Sequence, residues 1–120
     1  MVTIKNMADN PEKIWLQFLI LRLIYENPTY GYKLIKDINK ISNGKYIVKS
    51  GTMYTTLRRM EKNKLLNSIW EKNESGPSSR IYNLTIKGKM KLKNLLKMVV
   101  ERKKIIDQLI KFYEKEFKEQ

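Results

Sequence analysis

The sequence has no cysteine and no histidine among its 120 residues. Without cysteine, neither disulfides nor thiolate chemistry can occur, which is consistent with a reducing compartment. Because histidine is also absent, the chain lacks the common zinc ligand sets, the Ser-His and Cys-His nucleophile pairs and a proton shuttle near neutral pH. These absences argue against an enzyme, and we expect neither a metal ion nor a cofactor.

Long apolar runs are missing as well. No segment of the sequence approaches the roughly 18 apolar residues of a membrane-spanning helix, and the N-terminus lacks the basic-then-apolar pattern of a secretory signal. The sequence therefore predicts an intracellular protein without a membrane partner. Given its charge, we expect it in the cytoplasm, associated with the nucleoid.

Acidic residues are scarce relative to basic ones. The chain has 25 lysines and arginines against 12 aspartates and glutamates, which gives a net charge of +13. Such a charge destabilises a lone compact domain and attracts a polyanion, so double-stranded DNA is the partner that we expect first. A solvated basic surface without a specific partner is the alternative.

Hydrophobic periodicity predicts one compact domain and one protruding element. Helices are expected at residues 10–26, 29–41 and 52–64, and strands at 66–71 and 80–84 on either side of a polar loop. Thr85 then caps a helix that runs to about residue 117, roughly 50 Å at 1.5 Å per residue. We therefore expect three parts: a flexible arm at 1–9, a mainly α domain with a small β-hairpin at 10–84, and a C-terminal helix at 85–120.

The stretch SGTMYTTLRRMEKNKLL, residues 50–66, combines a narrow apolar stripe with a polar face. At 3.6 residues per turn, Met53, Leu57 and Met60 fall on one side, and only these three need burial. Ser50 is suited to cap the helix, because its hydroxyl can accept a hydrogen bond from a free N-terminal amide. The opposite face is cationic and rich in hydroxyls: Thr52, Thr55, Arg58, Arg59 and Lys62.

Three segments carry a resemblance to a known family: ILRLIYENPTYGYKLIKDI (20–38), SGTMYTTLRRMEKNKLL (50–66) and GPSSRIYNLTIKGK (76–89). In order and spacing they resemble the signature segments of the PadR family of transcriptional regulators. The resemblance implies a winged helix-turn-helix with a long C-terminal dimerisation helix. It also implies repression rather than activation, which no residue indicates by itself.

The same resemblance assigns roles along the chain. It implies that Tyr30, Gly31 and Tyr32 open the second helix, that residues 51–54 begin the recognition helix and that 72–79 form the wing. The chain departs from the family pattern in two places. The family usually has Gly at the position of Lys64 and often has Pro at the position of Thr55.

The predicted DNA contacts lie on the second helix, the recognition helix and the wing. Thr52 and Thr55 are expected near base edges, and the cations of the recognition helix near phosphates. Tyr54 either packs beside Leu57 or extends its hydroxyl to a phosphate, Tyr30 is equally suited to the core, and the whole face could instead be solvated surface. The candidate DNA-binding residues are Tyr32, Lys33, Ser50, Thr52, Tyr54, Thr55, Arg58, Arg59, Lys62, Lys72, Ser78, Ser79 and Arg80.

The first and last helices have more apolar surface than one small core can cover. The last helix repeats apolar residues at intervals of seven, a pattern typical of a helix-helix seam. Lys103 interrupts one row within the charged run 101–104, so the seam is expected to loosen or bend there. Packing of this helix on the first helix of the same chain is the alternative. The predicted dimer contacts are Trp15, Phe18, Leu92, Leu96, Val99, Ile106, Ile110, Tyr113 and Phe117.

Together these observations predict a homodimeric winged-helix repressor that occupies a two-fold symmetric operator. Two alternatives remain open: an architectural protein that binds DNA without sequence choice, and a protein-interaction module whose basic face is incidental. Any small-molecule effector is expected to be apolar or aromatic and to bind near Trp15 and Phe18. Dense side-chain packing around Trp15 is the alternative to such a pocket.

Overall fold

A computed structural model describes residues 11–72, 76 and 78–118, with the backbone alone described for residues 11 and 12. The predicted arm at 1–9 lies outside these residues, as does most of the tip of the polar loop. The described elements, in chain order, are α1 (Pro11–Glu26), β1 (Thr29–Tyr30), α2 (Gly31–Ile41), α3 (Ser50–Lys62), β2 (Leu66–Glu71), β3 (Ser79–Leu84), α4 (Ile86–Glu101) and α5 (Lys103–Glu116).

The sheet has three antiparallel strands rather than the two of a simple hairpin. The predicted hairpin is present, with Leu66 opposite Leu84 and Glu71 opposite Ser79. A strand that the sequence did not predict, β1, pairs with the other edge of β3, so the strand order is β1-β3-β2. The helix expected at 29–41 therefore begins two residues later. Thr29 and Tyr30 are a β-branched and an aromatic residue, which favour extended backbone once a strand edge is available.

The core lies between α1, α2, α3 and the sheet. The apolar stripe predicted for α3 is confirmed, since Met53, Leu57 and Met60 are fully buried. Thr56 is buried with them, and its hydroxyl donates a hydrogen bond to the Thr52 carbonyl oxygen at 2.8 Å. α4 packs along α1. The apolar surface of α1 is thus divided between the core, α4 and solvent, where Trp15 is half exposed.

The ends of α3 differ from the prediction. The helix begins at Ser50 and is preceded by Lys49 as the N-cap, with no capping hydrogen bond from a side chain. The capping role predicted for Ser50 is therefore wrong, because Ser50 already has helical backbone. At the other end the helix stops at Lys62, and Lys64 adopts a left-handed backbone with φ of 66°. The turn for which the PadR pattern uses Gly is made here by lysine, at a steric cost of roughly 1 kcal/mol.

The C-terminal segment is two helices, not the single helix that was predicted. Thr85 caps α4 as expected, since its Oγ1 accepts a hydrogen bond from the Gly88 amide at 2.9 Å. The helical pattern is interrupted at Arg102, which has φ of −96° and ψ of 1°, within the charged run where a bend was expected. No residue of α5 is buried, and the described chain extends 58 Å along its longest axis.

Candidate nucleic-acid interface

The outer face of α3 presents its polar side chains to solvent. Thr52, Thr55, Arg58, Arg59 and Lys62 are all exposed, opposite the buried stripe that anchors the helix. Arg58 is partly oriented by its neighbour, because its Nη2 donates to the Thr55 hydroxyl at 3.3 Å. The structure therefore brings together on one surface the five side chains predicted for recognition. Ser50 is exposed in the first turn of the same helix.

Tyr54 lies on the flank of α3 and packs inward. Its ring covers Gly31 so closely that any Cβ at position 31 would lie within van der Waals contact of three ring and hydroxyl atoms. The ring therefore packs against the start of α2, and the contact of its hydroxyl with a phosphate stays a prediction. A larger residue at position 31 would therefore require the end of the Tyr54 side chain to shift.

The start of α2 forms an aromatic pair on the same side of the molecule. The rings of Tyr30 and Tyr32 stack with centroids 5.4 Å apart and planes inclined by 14°. Tyr30 does not enter the core, because its hydroxyl donates to a Glu71 carboxylate oxygen at 2.8 Å. This hydrogen bond raises the pKa of Tyr30. Lys33 is exposed beside the pair and forms a 3.5 Å ion pair with Asp37, a surface contact of small energy.

The wing is tied to α3 by a chain of hydrogen bonds. Arg80 Nε donates to the Ser68 hydroxyl at 2.7 Å, and that hydroxyl donates to a Glu61 carboxylate oxygen at 2.8 Å. The guanidinium of Arg80 also lies over the Trp70 ring, 5.2 Å from its centroid. Arg80 is therefore held in place, whereas Lys72 and Ser78 are exposed on the wing. Ser79 pairs with Glu71 across the hairpin.

A recess lies between the start of α2, the flank of α3 and the wing, and we call it the tyrosine notch. Its volume is about 300 Å³. Tyr82 forms part of its floor and is only 3% exposed, and burial raises the pKa of its hydroxyl. The residues that line the tyrosine notch are Tyr30, Gly31, Tyr32, Tyr54, Arg58, Trp70, Ser78, Ser79, Arg80 and Tyr82.

The residues predicted for a dimer seam fall into two groups. Leu92 is 5% exposed and belongs to the core of its own chain, so its assignment to a seam between chains is wrong. Phe18 is also largely covered within the chain. The others keep between 36% and 67% of their surface exposed: Trp15, Leu96, Val99, Ile106, Ile110, Tyr113 and Phe117. α4 thus packs on α1 of its own chain, which was the alternative to a seam between two chains, whereas α5 does not.

A second recess, which we call the α1–α4 groove, contains the tryptophan predicted for an effector site. Trp15 and Phe18 lie with ring centroids 5.5 Å apart on one wall, and Val99 and Ile106 belong to the other. The groove has a volume of about 280 Å³ and is otherwise lined by Ile14, Met98 and Arg102. Arg102, at the junction of α4 and α5, is a polar group that the sequence did not place there.

Within residues 11–72, 76 and 78–118, no three acidic side chains come together in a group that could hold a metal ion. In the same residues, no helix is long and apolar enough to cross a membrane.

The sequence matches the profile of the PadR-like transcriptional regulator family over residues 20–94, more than half of the chain. The chain belongs to the PadR family. A PadR family transcription regulator from Clostridium difficile R20291 has a similar structure, with 30% identity, a TM-score of 0.69 and coverage of 80% of this chain and 98% of that one. An uncharacterised protein of Lysinibacillus sphaericus is 34% identical over 92 residues, 77% of this chain and 84% of the relative.

A PadR protein has also been solved with DNA bound. The structure of Bacillus subtilis PadR in complex with operator DNA is similar to this chain with a TM-score of 0.62 and 20% identity, over 68% of this chain and 46% of that one. At this identity the similarity shows the fold. The three helices, the hairpin wing and the C-terminal helices are those of a winged helix-turn-helix regulator, as predicted.

Several residues of this PadR interface were not predicted from the sequence. Tyr82, Trp70 and Ser68 were assigned no role, although the two-residue alternation of paired strands offered a signal. Ser68 lies opposite Tyr82 and Trp70 lies opposite Arg80 in the hairpin, so all four side chains share one face of the sheet. Once the hairpin register is known, their proximity follows.

Proposed function

We propose that this PadR family member is a homodimeric, sequence-specific DNA-binding repressor that acts in the cytoplasm, at the nucleoid. The observation that carries the proposal is the exposed face of α3, where two threonines and three cations lie over a buried anchor. A winged helix-turn-helix inserts such a helix into the major groove. The net charge of +13 provides the attraction to the phosphate backbone. Operator DNA bound to the Bacillus subtilis relative supports the same use of the fold.

The proposed contacts divide by chemistry. Thr52 and Thr55 approach base edges, whereas Arg58, Arg59 and Lys62 neutralise phosphates on either side of the groove. On α2, Tyr32 and Lys33 lie where the first helix of the motif crosses the backbone. The wing residues Lys72, Ser78, Ser79 and Arg80 position the protein rather than select its sequence. Ser50, in the first turn of α3, completes the contact surface.

Replacing Arg59 with alanine should weaken operator binding by about tenfold or more. The free energy of unfolding should change by no more than about 0.5 kcal/mol, because the Arg59 side chain is exposed. Operator sequences would first be selected from a random duplex pool, and affinities measured for a selected and a scrambled duplex. Arg22→Ala is the matched control, since Arg22 is an exposed arginine on α1 that is paired with Glu26. Equal affinities for the two duplexes would favour an architectural protein, and no binding to either would favour a protein-interaction module.

The proposed dimer rests on the apolar surface that α4 and α5 leave uncovered. Exposed apolar residues in one contiguous patch mark interaction sites, because soluble monomers rarely leave such patches in water. The α1–α4 groove lies next to this surface and is open beside Trp15. A second copy that applies its own α4 and α5 to the groove and to α5 would cover both. A symmetric contact of this kind also places two recognition helices against two half-sites.

We also propose that an effector, which is apolar or aromatic, binds in the α1–α4 groove. The expected result is a saturable change in Trp15 fluorescence on titration with planar aromatic cations or phenolic acids, at concentrations that release the operator. Trp70→Phe leaves Trp15 as the one tryptophan, because the sequence contains two. A compound that releases DNA while Trp15 emission stays constant would place the effector site elsewhere, and side chains of the partner would then fill the groove.

A further inference from the structure

The side chain of Tyr82 forms part of the floor of the tyrosine notch. The residue is 3% exposed, and Arg58 and Arg80 line the same recess. Because burial raises the pKa of Tyr82, the hydroxyl keeps its proton at neutral pH and can donate it to an acceptor in the notch. The ring is fixed in the core, so the donor is already oriented.

Two cations of the tyrosine notch have donors to spare. Arg80 uses Nε on Ser68, and Arg58 uses one Nη2 bond on Thr55, out of five N–H groups on each guanidinium. No residue that lines the notch is acidic. Two glutamates bonded to residues around the notch are engaged by hydroxyl donors, Glu61 by Ser68 and Glu71 by Tyr30. The notch therefore presents two guanidinium groups and the phenolic O–H donor of Tyr82, a combination that suits a phosphate.

The remaining walls are aromatic. The stacked pair of Tyr30 and Tyr32 forms one side, and Trp70 forms another beneath the guanidinium of Arg80. At about 300 Å³ the notch is at the lower limit of volumes typical of small-molecule sites and larger than a lone phosphate group requires. An aromatic wall beside paired arginines offers contact to the unit that carries the phosphate, either a sugar or a planar base.

We propose that the tyrosine notch is a binding site for one nucleotide unit, with the phosphate ester held by Arg58, Arg80 and the Tyr82 hydroxyl and the attached sugar or base placed against the Tyr30–Tyr32 pair. The ester belongs either to the DNA backbone beside the recognition helix or to a free nucleotide that competes with DNA for the same arginines. The assignment to the DNA backbone rests on the proposed function, whereas binding of a free nucleotide does not require that function.

The free-nucleotide arm is measured without DNA. In a Trp15→Phe background, the fluorescence of Trp70 reports on the notch. Adenosine 5′-monophosphate, inorganic phosphate and adenosine are each titrated into the protein. Inorganic phosphate lacks the ring, and adenosine lacks the charge. We expect the nucleotide to change Trp70 emission saturably and to bind at least about tenfold more tightly than either fragment. Tyr82→Phe should weaken nucleotide binding by about tenfold, which is the effect expected from the loss of one hydrogen bond to a charged group. Tyr25→Phe, outside the notch, is the control.

The DNA arm compares neighbouring arginines and the same tyrosine. Arg58→Gln removes a cation of the notch, whereas Arg59→Gln removes a cation outside it. The proposal expects that adding Tyr82→Phe to the Arg58→Gln variant does not weaken duplex binding further. Adding Tyr82→Phe to the Arg59→Gln variant should weaken duplex binding. If the nucleotide does not bind but Tyr82→Phe weakens duplex binding about tenfold with an unchanged melting temperature, the ester belongs to DNA. If neither nucleotide nor duplex binding changes by more than about twofold in Tyr82→Phe, the proposal is overturned. A protein that binds the nucleotide but no duplex would refute the proposed function and leave the notch assignment standing.

Discussion

Replacing Gly88 with alanine should lower the free energy of unfolding by about 3 kcal/mol or more, because a Cβ at this position has no space. Gly88 is buried in the first turn of α4, directly against the turn that follows α3. A Cβ built there would lie far inside van der Waals contact of the Leu65 carbonyl oxygen, with the Leu84 side chain 3.1 Å away on the other side.

The Leu65 carbonyl cannot move aside cheaply. Its oxygen accepts hydrogen bonds from the Thr85 amide at 3.1 Å and from the Thr85 hydroxyl at 3.0 Å, while the Leu65 amide donates to the Met60 carbonyl oxygen at 2.9 Å. Chemical denaturation of Gly88→Ala measures the effect. Gly51→Ala is the control, because a Cβ at that helical position meets nothing within 4 Å and alanine is the better helix former. A denaturation midpoint for Gly88→Ala equal to that of the unmodified chain would contradict the contact.

Replacing Ile110 with aspartate should convert the proposed dimer into monomers and weaken operator binding by about 100-fold or more, since the second half-site no longer adds to affinity. Ile110 is half exposed in the single chain, on an α5 helix that has no buried residue. The exposed apolar residues of this helix are Ile105, Ile106, Leu109, Ile110, Phe112, Tyr113 and Phe117. A charge at the centre of that surface would be buried without a partner on association.

Analytical ultracentrifugation and duplex titration measure the two parts of this prediction. Lys111→Asp is the matched control, because it places the same carboxylate on the adjacent, polar side of α5, and it should remain dimeric. The fold of the monomeric variant is checked by circular dichroism, since Ile110 has no buried contact whose loss would unfold the domain. If the unmodified protein sediments as a monomer at micromolar concentration, the dimer is refuted. A dimeric Ile110→Asp variant would move the interface away from α5.

Sequence patterns predicted the features that depend only on residues within a single helix or strand. The stripe of Met53, Leu57 and Met60 follows from the helical repeat alone, and it determined which face of α3 is exposed. The cap at Thr85 has the same local character. The strand β1 was missed because two residues carry no periodicity. Thr29 and Tyr30 become a strand only when β3, fifty residues later, provides an edge.

The tyrosine notch illustrates what a single sequence does not reveal. Its residues come from α2, α3 and both long strands, and no spacing along the chain relates Tyr54 to Gly31 or Arg80 to Glu61. The recognition face could be predicted because it belongs to one helix, whereas the notch depends on how several helices and strands pack. The assignment of Leu92 failed for a related reason. An interval of seven shows that residues share a helix face, but not whether that face meets its own chain or another.

The interruption at Arg102 has a mechanical consequence for any two-fold assembly. An unbroken helix from 86 to 116 would be a single rod of about 46 Å, whereas α4 and α5 are segments of about 24 Å and 21 Å that share one residue as a joint. α4 is clamped to the DNA-binding domain at Gly88, but α5 has no such attachment to its own chain. In the proposed dimer, the angle at this joint would set the distance between the two recognition helices without altering either domain. The proposed dimer would therefore have latitude in the spacing between the operator half-sites that it could span.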